Sequence, residues 1–244
     1  MVSIIDESLT LIVAFSIGVY AFRYMNLLYR IFLYQLLAYI LIFILANVVR
    51  LILSQNNLPI NNQWVYNLSM PIETGLLTWA VYEYFKASKG KIWIWIGYLI
   101  FITILVTELS IKGIWILSNH GYIAENILLL VLYLLVLYAH FTKQNGNWQR
   151  SPELWICLGI VLYCGGVVPY FSLINYLQVS YPKVNSFLYY FIIDGLATLR
   201  YLLLALGFWF VRSNAIILTP NPSLSNREGP EVSIEPNDFN DLKH

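Results

Sequence analysis

The chain has 244 residues, of which 59% are hydrophobic and only 11% charged, with a mean hydropathy of +0.66 and a formal net charge of +1. Soluble domains carry roughly 25% charged residues, so this composition excludes that class and places the chain in a bilayer. It also provides no basic surface for nucleic acid.

Seven apolar runs, each near the roughly 20 residues that a spanning helix needs, predict an all-α polytopic membrane protein with seven transmembrane helices in one bundle. Their expected bounds are 6–25, 31–53, 64–85, 92–112, 119–141, 153–177 and 185–211. The opening MVSIIDESLT lacks the basic segment of a removable signal, so the first helix is expected to stay. The second run has Gln35 and Asn47 as its polar interruptions and Arg50 near its outer end.

The third run, QWVYNLSMPIETGLLTWAVYEYF, organises the reading. Pro71 removes a backbone donor near its middle, and the carboxyl of Glu73 in hydrocarbon costs several kcal/mol unless neutral, paired or hydrated. Both need neighbours, which predicts an interior helix. Tyr66, Ser69, Glu73, Ala80 and Tyr84 recur at helical spacing and form a mixed polar and small face.

The fourth run carries Glu108, read as an acid near the membrane interface, and the fifth carries Glu125 near its start. The sixth holds Cys157 and Cys164, seven apart and so about 10 Å along a helix, too far to bridge each other. It also holds Gly165, Gly166 and Pro169, which with Pro71 are the hinge candidates. The seventh presents Tyr190, Asp194, Thr198, Tyr201 and Ala205 on one face. Arg200 lies six residues beyond Asp194, roughly 120° around the helix, so a partner on another helix, Glu73 or Glu125, is expected for it. From 213 to 244 the composition turns to Pro, Asn, Ser and acids, which predicts a disordered cytoplasmic tail.

Lys and Arg in the joints set the orientation. Ten of them fall on one side (Arg23, Arg30, Lys86, Lys89, Lys91, Lys143, Arg150, Arg212, Arg227 and Lys243) against Arg50, Lys112 and Lys183 on the other. The N-terminus is therefore expected outside and the C-terminus in the cytoplasm.

The embedded ionisable groups Glu73, Glu125, Asp194 and Arg200, with Ser69, Tyr190, Thr198 and Tyr201, are the candidates for a ligand or ion pocket opening outward. An interhelical network that merely fixes packing is the competing reading. Enzyme signatures are mostly absent: His244 is terminal, His140 falls at a cytoplasmic helix end and His120 at an outer helix start, which makes a three-histidine zinc site hard to build, and no nucleophile elbow occurs, so no metal is expected. No lysine stands in the seventh run for a retinal Schiff base, and no cofactor is expected.

Several stretches resemble one family: NLSMPIETGLL, AENILLLVLYLLVLYAHF, LWICLGIVLYCGGVVPYFSLINYL and LRYLLLALGFW. They are similar to uncharacterised seven-helix integral membrane proteins common in Bacteroidota, through Pro71 and Glu73, Glu125, Tyr163 and Gly165, Arg200, and Gly207 to Trp209. The resemblance covers most of the membrane part. It implies seven helices, a bacterial inner membrane, and Glu73, Glu125 and Arg200 as a connected set. The group has no established activity, so no function follows from it. The expected partners are the lipid bilayer, a small-molecule or ion ligand and a cytoplasmic signalling protein. A sensory or signal-relay protein is the leading expectation; a proton- or cation-coupled transporter and a membrane-embedded lipid-modifying enzyme are the alternatives.

Overall fold

The computed structural model of the protein describes residues 2–55, 63–143 and 148–218, and these are helical with no strand among them. The helices are α1 (Val2–Ala21), α2 (Leu27–Gln55), α3 (Gln63–Tyr84), α4 (Ile92–Lys112), α5 (Asn119–Lys143), α6 (Pro152–Ser180), α7 (Pro182–Tyr189) and α8 (Leu196–Leu218). A π-helical segment, Tyr190–Gly195, joins α7 to α8 without a break. Every predicted run is thus helical.

Among the described residues, five helical stretches are long and apolar enough to cross a membrane: Leu27–Gln55, Ile92–Lys112, Asn119–Thr142, Pro152–Ile174 and Pro182–Ile217. The other two runs fall short for different reasons. In α1 the apolar part is short, and α3 is diluted by Asn67, Ser69, Glu73, Thr74 and Thr78.

The joints follow from local chemistry. Asn26 caps α2, its side-chain oxygen accepting from the Tyr29 amide at 3.2 Å. Gly113 ends α4 with φ +82°, a left-handed conformation natural only to glycine, and its amide returns to the Leu109 carbonyl at 2.9 Å. Tyr181 sits between α6 and α7 at φ −141°, ψ 63°, because a residue before proline is pushed out of the helical region. Pro182 then starts the new helix, where its missing N–H costs nothing.

The last helix runs to Leu218, past the expected start of the tail at 213. Asn214 explains the extension, since its amide donates to the Arg150 carbonyl at 3.0 Å and holds an extra turn against the α6 entrance. The rest of the expected tail, 219–244, lies outside the described residues.

The long helices pack in chain order around a ring, each against the next, and α8 closes the ring on α1. Helix α4 sits toward the outside, so α3 also packs on α5 behind it. One core runs through the ring, with Ile31, Leu36, Leu77, Ala80, Tyr133, Ile160, Tyr201 and Phe208 all buried. The outer faces are apolar as well: Leu41, Ile44, Leu45, Val48 and Leu51 of α2 are exposed. A surface of this kind is at home in lipid and is an aggregation hazard in water.

Candidate functional site

The polar centre of the ring begins with Glu73 on α3. Its Oε1 accepts from Arg200 Nη2 of α8 at 2.7 Å and from Gln35 Nε2 of α2 at 3.1 Å. The ion pair crosses the interior, because α3 and α8 are not extensively packed on each other. Arg200 is 7% exposed in its side chain and Glu73 20%, so the acid is the more accessible partner. Both donors converge on one carboxylate oxygen, and Arg200 commits one of its five N–H groups to the pair. Its guanidinium carbon lies 5.2 Å from the Tyr163 ring centroid and 6.0 Å from that of Tyr201, within cation–π range of both.

Beside this pair stands Glu125 of α5, 4% exposed. Its Oε1 is 2.5 Å from the hydroxyl of Thr74, the residue next to Glu73. The same hydroxyl lies 2.7 Å from the Met70 carbonyl one turn back. Tyr122 and Tyr163 join α5 to α6 through a hydroxyl–hydroxyl hydrogen bond of 2.7 Å. Five helices thus contribute polar groups to one interior layer: Gln35, Glu73 with Thr74, Tyr122 with Glu125, Tyr163, and Arg200.

The remaining candidates lie elsewhere. Asp194 is half-buried in the π-helical segment, where no hydrogen bond or ion pair joins it to this layer. Tyr190 is 55% exposed, because the wider π turn displaces the residues before it from the face that Tyr201 and Ala205 share. Thr198 is half-buried. The Ser69 hydroxyl is spent on the Tyr66 carbonyl of its own helix at 2.8 Å. Helices α3 and α6 continue through Pro71 and Pro169. The Pro71 carbonyl accepts from Tyr98 of α4 at 2.9 Å, and Gly75 makes room for that ring, since a Cβ there would stand 3.2 Å from the Tyr98 oxygen. A groove of about 440 Å³ opens here, lined by Pro71, Gly75, Trp79, Trp95 and Tyr98.

Two further clusters hold the ends of the bundle. At one end Glu108 accepts from Lys112 at 2.5 Å, from the Gly121 amide at 3.0 Å and from the Ser118 hydroxyl, with His120 Nδ1 3.0 Å away. Ser118 and Glu108 together therefore cap α5. Asn67 completes this end, donating to the Ile114 and Ile116 carbonyls at 2.7 and 2.8 Å and accepting from the Ser118 amide at 3.0 Å. At the other end Glu153, in the first turn of α6, accepts from Tyr29 of α2 and from Ser151.

Sequence reasoning singled out Glu73, Glu125 and Arg200 but passed over Thr74, Tyr122, Asn67 and the Tyr29–Glu153 pair. Asn67 carried a usable signal, an amide flanked by apolar residues at a helix start. Thr74 carried none, because threonine is ordinary in any span. No family model, curated protein or solved structure matches the chain.

Proposed function

We propose that the protein is a seven-helix integral membrane protein, with its N-terminus outside and its C-terminus in the cytoplasm. In this reading it senses a small ligand or ion at the Glu73–Arg200 centre and relays the event to a cytoplasmic partner. The observation that supports it is the placement of the ion pair. It ties α3 to α8 across the ring, five residues beyond a π-helical segment, and such segments recur at functional sites. Removing one partner of a buried pair costs about 3–5 kcal/mol, because the other charge is left uncompensated. A ligand that presents its own charge to one partner replaces that energy and lets α8 move against α3. Differential affinity of this kind is what a conformational relay requires.

Proton- or cation-coupled transport is the second reading. The observation favouring it is that Glu125, a second acid, stands beside the pair with no cation of its own among the described residues.

The test is a distance measurement between spin labels at Lys86, just beyond α3, and Ile217, near the end of α8. Glu73→Gln mimics a centre whose acid has been neutralised, and it should shift the distance distribution of the unmodified pair. An unchanged distribution would overturn the relay. Substrate uptake into proteoliposomes, lost in Glu73→Gln, would favour transport instead.

A further inference from the structure

We infer that Glu125 is the proton-binding group of the central site: it carries a proton and donates it to Thr74, while Glu73 remains the ionised partner of Arg200. This deepens the proposed function by naming the proton as one ligand of the centre, and it rests on that reading only for its consequence, not for its test.

The argument begins with hydrogen counting. The Thr74 hydroxyl has one hydrogen and two acceptors in reach, the Met70 carbonyl at 2.7 Å and Glu125 Oε1 at 2.5 Å. If that hydrogen serves Met70, as threonine hydroxyls in helices commonly serve the carbonyl one turn back, the short contact to Glu125 needs a second hydrogen. The carboxyl itself supplies it. The chain then runs in one direction, from the Glu125 O–H to Thr74 Oγ1 and from the Thr74 O–H to the Met70 carbonyl.

Charge balance points the same way. An ionised carboxylate offers about four acceptor positions, yet Glu125 is 4% exposed and Thr74 is its one hydrogen-bonding neighbour among the described residues. The groups within electrostatic reach are Glu73 of α3, Tyr98 of α4, Tyr122 of its own helix, Cys164 of α6 and Arg200 of α8. The one cation among them is Arg200, and its bond goes to Glu73. Two ionised carboxyls would leave one uncompensated negative charge in the interior, whereas one bound proton makes the layer neutral. Exchange of that proton would change the charge facing the Glu73–Arg200 pair by one unit, so the pair and the proton are coupled.

Infrared spectroscopy of the purified protein near neutral pH tests this directly. The expected result is a carbonyl-stretch band of a protonated carboxylic acid that moves in deuterium oxide, disappears in Glu125→Gln and persists in the double variant Glu73→Gln, Arg200→Gln, where both charges of the pair are gone. In Thr74→Val the band should shift upward through loss of the hydrogen bond. Absence of the band from the unmodified protein, or its survival in Glu125→Gln, would overturn the inference. Should Glu125→Gln fail to fold, Thr74→Val decides, and an unmoved band there is equally fatal. These readouts need no ligand or partner, so failure of the relay would leave them intact.

Discussion

At the scale of single residues, the centre is defined by what each side chain loses when its partner goes. Arg200→Gln leaves Glu73 with the Gln35 amide as its remaining donor, and should lower stability by about 3–5 kcal/mol. The double variant Glu73→Gln, Arg200→Gln removes both charges and should recover much of that loss, because neutral amides can pair with each other and with Gln35. Thermal unfolding of the four proteins in detergent gives the coupling energy. Strictly additive losses would mean that the two charges do not depend on each other. Glu73 and Arg200 were legible in the sequence because ionisable groups in hydrocarbon require partners. Asp194 met the same criterion and stands apart, since one wide turn of backbone altered the register on which its helical face was drawn. A linear sequence shows periodicity but not where the period slips.

At the scale of elements, α6 and α8 are brought close by glycine. A Cβ on Gly159 would stand 3.1 Å from the Arg200 carbonyl and 3.2 Å from Leu203 Cβ. One on Gly207 would stand 2.5 Å from Ile156 Cγ1 and 3.2 Å from the Pro152 carbonyl. Small residues at a membrane helix interface permit this approach, and here the approach sets the height and direction of Arg200. Gly159→Val is therefore expected to destabilise by about 1–3 kcal/mol through overpacking and to weaken the Glu73 contact with it. Gly165→Ala, six residues along the same helix, meets open space and should leave the midpoint of thermal unfolding within the range of a neutral surface change, about 0.5 kcal/mol. Equal effects of the two would refute the close-packing account. The sequence had marked Gly165 and Gly166 as hinge candidates because they precede Pro169. The packing leaves Gly165 in open space and gives weight to Gly166, whose Cβ would stand 2.3 Å from Leu196 Cδ1, and to Gly159 and Gly207, of which only Gly207 stood out in the sequence, before Phe208 and Trp209. What places them is the neighbouring helix, and that information is not local.

At the scale of the whole molecule, the asymmetry of basic residues acquires a physical location. Arg212 lies 4.1 Å from the Tyr20 ring centroid, Lys91 lies 5.7 Å from that of Tyr82, and Asn214 holds the Arg150 carbonyl. The ends of α1, α3 and α8 and the beginnings of α4 and α6 therefore form one basic face, to which Tyr29 and Glu153 add the start of α2. Glu108, Lys112, His120 and Asn67 gather at the opposite end. Hydropathy alone selects five spanning stretches, and α1 and α3 are joined to them by ring packing. Short connections oblige neighbouring helices to alternate in direction, so if the five cross, α3 crosses between α2 and α4. Its polar residues are then tolerated because they face protein and not lipid. In the proposed orientation the basic face is the one kept in the cytoplasm. The check is labelling by a membrane-impermeant thiol reagent in spheroplasts of a bacterial host, with Cys157 and Cys164 contributing little background because both are buried. Lys183→Cys should react in intact spheroplasts, and Lys86→Cys only after the membrane is broken. The reverse pattern would invert the topology and turn the Glu73–Arg200 centre's ligand into one that arrives from the cytoplasm. Reaction of both positions in intact spheroplasts would place them on one side and remove one of α4, α5 and α6, the helices between them, from the spanning set.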